Sequence, residues 1–124
     1  MKIQIKTPYV IDGRDIISYN MLSNNNLIVN IGDRSNNKNR GIEEEISMRF
    51  IFIDVVGIKD KPTSSLFEFA QETKENDFMN EVLAHVYEKI PEETPYKRYV
   101  FYGDGNNEYP CMEIIATDVK VEKC

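Results

Sequence analysis

The chain has 124 residues, 41% hydrophobic and 29% charged, with a formal net charge of −6. This fits one globular domain, 1–124, and leaves out disordered tails and fibrous repeats. The acidic balance also disfavours a phosphate-backbone binder, which needs clustered Lys and Arg.

Fifteen isoleucines against four leucines favour strands, because β-branched side chains suit a pleated surface. Lys2-Ile3-Gln4-Ile5-Lys6 alternates as a strand with one wet face, and Pro8 ends it. Asp12-Gly13 marks a turn. Asp15 to Leu22 and Leu27 to Ile31 form a hairpin around Asn24-Asn25-Asn26. The polar stretch Gly32 to Gly41 has no periodicity and reads as a loop. Ile46 to Ile58 is the strongest strand, apolar on both faces, which argues for a central position covered on both sides.

After Pro62, Ser65-x-x-Glu68 has the form of a capping box. Leu66, Phe69, Ala70 and Thr73 share one helical stripe; Met79, Val82, Leu83, Val86 and Ile90 share another. One straight helix does not bury both, so a break is expected between Thr73 and Asp77, with Asn76 or Asp77 capping the second helix and Pro91 stopping it. Tyr96 to Tyr102 and Cys111 to Glu122 then form a C-terminal hairpin around Gly103-Asp104-Gly105. The expected class is α+β: a mainly antiparallel sheet of five to six strands, with a broken acidic helical segment between the fourth strand and that hairpin.

No phosphate loop, dinucleotide fingerprint, nucleophile elbow or His-Glu-x-x-His occurs. The lone His85 reads as a helix-surface residue, so no catalytic residue, zinc site or cofactor is expected. Asp104, Asn106 and Glu108 alternate like the start of a calcium loop, but Ile115 stands where its final Glu belongs. Cys111 should pack in an apolar run and Cys124 should be a free thiol. Asp54, interrupting an apolar strand, needs a partner such as Arg49 if it is buried.

Charge is unevenly distributed. Residues 1–62 carry nine basic and eight acidic side chains, whereas residues 63–124 carry six and thirteen. The excess lies in Leu66 to Glu93, where Glu68, Glu72 and Glu75 follow helical i, i+4, i+7 spacing, joined by Asp77, Glu81, Glu88, Glu92 and Glu93; the first six are the candidate partner contacts. Such a face is either a solvated exterior or a docking surface that speeds encounter with a basic partner. Five of the seven tyrosines fall between 87 and 109, and Tyr102 and Tyr109, flanking the turn that holds Asp104, are the candidate exposed anchors.

Met48-Arg49-Phe50-Ile51-Phe52-Ile53-Asp54-Val55-Val56, the acidic segment and the tyrosine-rich hairpin together give a chain that resembles the immunity proteins of bacterial polymorphic toxin systems, including contact-dependent growth inhibition. The resemblance implies a protein that binds one cognate toxin domain, often a basic nuclease, and occludes its active site or substrate groove. Met1-Lys2-Ile3-Gln4-Ile5-Lys6 lacks a signal-peptide core and no apolar run approaches ~18 residues, so a cytoplasmic protein without membrane or direct nucleic-acid contact is expected, as a monomer or weak homodimer. Two other readings stay open: a phage-type nucleic-acid mimic, and a small enzymatic or ligand-binding domain using Asp54 or the Asp12/Asp15 pair.

Overall fold

The computed structural model describes residues 2–37, 41–61, 65–103 and 110–124. In chain order the elements are β1 (Lys2–Gln4), β2 (Asp15–Met21), β3 (Leu27–Asn37), β4 (Gly41–Ile53), β5 (Gly57–Asp60), β6 (Leu66–Glu72), α1 (Asp77–Val86), β7 (Lys97–Gly103), β8 (Pro110–Ala116) and β9 (Asp118–Lys123). They build two antiparallel sheets, ordered β1-β6-β7-β8-β5 and β2-β3-β4-β9. Among the described residues the architecture is therefore α+β, with nine strands in two sheets, not one sheet of five or six, and one short helix.

The sheets face each other across an aromatic core. Phe50 and Phe52 of β4 meet Phe69 of β6 and Phe101 and Tyr99 of β7, with Phe50 edge-on to Phe69 at 4.7 Å and to Phe101 at 5.1 Å. Leu27, Val29, Ile31 and Met48 fill one side and Met112, Ile114 and Ala116 the other. Edge-to-face contacts suit the ring quadrupoles, and each buried large side chain contributes about 1.5–3 kcal/mol relative to exposure.

Several further expectations are corrected. Ile46 to Ile58 is not one strand: Asp54 has φ +52, its N–H donates to Oδ1 of Asn26, and the chain crosses there from β4 into β5 of the other sheet. Asp54 is exposed, so it needs no buried partner. β4 is central in its sheet but covered on one side only; Ile51 and Ile53 lie half-buried on the outer face. The stretch from Gly32 onward is not all loop, because β3 and β4 continue as an arm from Gly32↔Ile46 to Asn37↔Gly41. Gly32 sits at the bulge where the arm begins; a Cβ there would collide with the backbone oxygen of Glu45, so only glycine fits.

One correction bears on function. Leu66 to Glu72 is a strand, and no helix runs through Glu68, Glu72 and Glu75. A register shift against β7 inserts one residue between Leu66 and Glu68. Leu66 and Phe69 therefore both reach the core at a spacing of three, which imitates a helical stripe in a sequence reading. The chain does change element between Thr73 and Asp77, but from strand to helix and not from helix to helix: Asn76 caps α1 by accepting from Met79 N–H at 2.9 Å, and α1 ends at Val86, so Pro91 is not what stops it. The last strand likewise divides at Thr117 into β8 and β9, which belong to different sheets.

Candidate functional site

The outer face of the five-stranded sheet carries the polar chemistry. Strand alternation turns Glu68, Ala70 and Glu72 of β6 and Arg98, Val100 and Tyr102 of β7 to this side, opposite the aromatic core. α1 covers the β8–β5 end, placing Met79 and Leu83 on Ile115. Gly57 lets it approach closely, for a Cβ there would meet Val82 Cγ2 at 2.6 Å.

Beside the helix, Arg98 Nη1 donates to Oε1 of buried Glu113 at 2.7 Å, and Asn76 Nδ2 donates to the same oxygen at 3.1 Å. Arg98 Nε also donates to Lys74 O at 3.3 Å. Toward β1, Lys2 Nζ lies 2.7 Å from Oε1 of Glu68 and 4.2 Å from the centre of the Tyr102 ring, while Gln4 Nε2 donates to Oε2 of Glu68. Burial raises the Glu68 carboxyl, but the hydrogen bonds from Lys2 and Gln4 and the Lys2 charge outweigh it and hold the pKa below its ordinary value. Tyr102 is buried and its hydroxyl donates to Oε1 of Glu72. Burial first, then the bond to the Glu72 carboxylate, pushes its pKa far up, so it stays protonated.

Past this network opens a cleft of about 380 Å³. Met79, Leu83, Ile90 and Tyr96 give it apolar walls; Glu72, Glu75, Glu92 and Glu93 stand around it, with Lys97 and Arg98 at the β7 end. Arg98 is committed to Glu113 and Lys74 O. Among the described residues, Glu75, Asp77, Glu81, Glu88, Glu92 and Glu93 make no ion pair and are exposed. The cleft thus offers carboxylates that have kept their hydration, beside apolar surface able to take the stem of a long side chain.

The sequence-chosen residues separate into groups. Glu68 and Glu72 are spent inside the fold on Lys2, Gln4 and Tyr102. Tyr102 is no exposed anchor, because its ring lies on the outer face of β7 beneath Lys2. Glu75 precedes the helix cap; Asp77 and Glu81 share the exposed side of α1; Glu88 follows it. Asp104 and Tyr109, with the calcium-like Asp104/Asn106/Glu108 pattern, lie outside the described residues. Asp15 begins β2, while Asp12 lines a second cleft of about 280 Å³ with Glu68, Ile5, Ile11 and Phe67.

Glu92 and Glu93 belong to the acidic segment read from the sequence but were not among the residues chosen as partner contacts. Glu113 was missed too; its signal is a carboxylate inside the apolar run Cys111 to Ala116. Cys111 is buried, and Cys124 is exposed. No helix among the described residues is long and apolar enough to cross a membrane. No family description, curated protein or solved structure matches this chain.

Proposed function

We propose that this chain is an immunity-type inhibitor that docks onto a basic, nuclease-type toxin domain and occludes its substrate surface. One observation carries the reading: Glu75, Glu92 and Glu93 are exposed and free of ion pairs among the described residues, around a cleft with apolar walls. A nucleic-acid-cleaving domain needs a basic surface for its substrate. A lysine or arginine of that surface entering the cleft would lay its stem along Leu83 and Tyr96 and bring its charge to the glutamates. Asp77 and Glu81, on the exposed side of α1, extend the negative field and steer encounter. Glu68, Glu72 and Tyr102 are already engaged within the fold, by Lys2, by Gln4 and by one another, although Glu72 also lines the cleft.

The test is to purify the C-terminal domain of a secreted toxin encoded directly upstream and follow its cleavage of plasmid DNA with the chain added. Equimolar chain should abolish cleavage, and salt should weaken the complex. The double substitution Glu92→Lys, Glu93→Lys should slow association at least tenfold while Glu68→Gln leaves it unchanged. Cleavage that continues at full rate in the presence of excess chain would refute the reading.

A further inference from the structure

β9 is an edge of the four-stranded sheet, and its two sides present different backbone groups. Cys124 N–H donates to Ser47 O at 3.0 Å, one step beyond the Met48↔Lys123 register. In an antiparallel ladder this sets the alternation: Lys120, Glu122 and Cys124 turn their backbone groups toward β4, and Val119, Val121 and Lys123 turn theirs outward. A second contact agrees, since Val119 N–H donates to Oδ1 of Asp118 at 2.8 Å and not to a strand. Among the described residues no backbone group reaches the outward N–H or C=O of Val121 or Lys123. An unpaired edge of this kind is a template for a further strand.

We infer that the strand it takes is β9 of a second copy, paired antiparallel about a two-fold axis at Val121. An edge that meets its own copy must be self-complementary, and this one is in that register. Lys120 falls opposite Glu122 of the partner subunit, Glu122 falls opposite Lys120 of the partner subunit, and the two Val121 residues face each other. The charged side chains are exposed on the outer face, and each lacks an ion pair among the described residues. Moving the axis to Lys120 sets that lysine against itself and Asp118 against Glu122; moving it to Glu122 sets two glutamates together. An axis at Val119 would match Lys120 with Asp118, but it needs the Val119 N–H that Asp118 already holds.

The Val121 register gives four backbone bonds. Each Val121 N–H meets the opposite Val121 C=O, and each Lys123 N–H meets the opposite Val119 C=O. Asp118 ends the ladder there, so the pairing is short and the dimer weak. It joins two four-stranded sheets into one of eight strands and leaves α1 and the acidic cleft uncovered. The contact is isologous, so it closes at two copies and does not grow into a filament.

Sedimentation of the full chain from about 1 µM to about 1 mM, the range for a small interface, should show the mass rising toward that of two chains. Over the same range the amides of Val121 and Lys123 should exchange more slowly as concentration increases. Lys120→Glu or Glu122→Lys alone puts like charges at both contacts and should weaken association at least tenfold; the two together should restore it to within about threefold. A single-chain mass throughout overturns the inference. So does a dimer whose Val121 and Lys123 amides exchange as fast as in dilute solution, or a double variant as weak as the single ones. The exchange measurement uses the unaltered chain and so does not depend on any variant folding.

Discussion

Arg98 and Glu113 form an ion pair at 2.7 Å under the start of α1, with side chains only 11% and 5% exposed. Asn76 joins helix and sheet through this pair, giving its amide to Glu113 and its carbonyl oxygen to the first turn. A single carboxylate on β8 thus positions the helix that walls the acidic cleft.

Glu113→Ala strands the Arg98 guanidinium and the Asn76 amide together. Breaking one side of a buried pair costs about 3–5 kcal/mol, so the urea midpoint should fall sharply. Replacing both Arg98 and Glu113 by Met should recover most of that loss, because no charge is then left unmatched. A double variant as unstable as Glu113→Ala would show that the loss has another origin.

Gly57→Ala drives a methyl into Val82 at 2.6 Å. Both the strand and the helix are packed on other neighbours, so the clash should cost about 1–3 kcal/mol. Adding Val82→Ala removes the obstructing methyls. Thermal unfolding should then show the double variant melting above Gly57→Ala, although Val82→Ala alone melts below the original chain.

Tyr102→Phe leaves the Glu72 carboxylate without its donor and should cost about 1–3 kcal/mol near neutral pH. The alkaline limb supplies a second readout. The folded pKa of Tyr102 lies above its ordinary value, so its contribution is complete below the unfolded pKa of roughly 10 and is lost as the pH rises through the folded value. Tyr99, pushed up to about 12 by burial and by the nearby Asp118 charge, adds to the same decline. Denaturation measured from neutral pH upward should fall less steeply in Tyr102→Phe than in the original chain.

The Glu68 pKa moves the other way. Its folded value is depressed by Lys2 and Gln4, so its contribution is present above the unfolded pKa of roughly 4.3 and disappears as the pH falls through the folded value. Glu68→Gln should flatten the acid limb of the melting profile below about pH 5, with little change at pH 7 beyond the loss of one partly exposed ion pair. An acid limb of unchanged slope would show that other carboxylates set it.

Local signals were legible where they were strong. A cap at Asn76 or Asp77, the hairpin around Asn24 to Asn26, and the start of a helix after Thr73 rest on interactions within a few residues, and side-chain chemistry narrows them that far. The β3–β4 arm was hidden because backbone pairing needs no apolar side chain, so Gly32 to Asn37 carries no periodicity to read. Leu66 to Glu72 was misread for a different reason. A bulge gave a strand the three-residue spacing of a helix, and Ser65 with Glu68 imitated a cap.

By itself the sequence determined that the chain builds on antiparallel strands, that its second half is acidic, and that a helix begins at Asn76 or Asp77. These follow from composition and from contacts between near neighbours. Only the tertiary structure decided which acids remain free to meet a partner. Glu68 and Glu72 found Lys2, Gln4 and Tyr102 across strand pairings of 30 to 66 residues in separation, while Glu75, Glu92 and Glu93 found no basic partner among the described residues and line the cleft. Ion pairing depends on distance in space, and a spacing along the chain sets that distance only after the strands have chosen their neighbours.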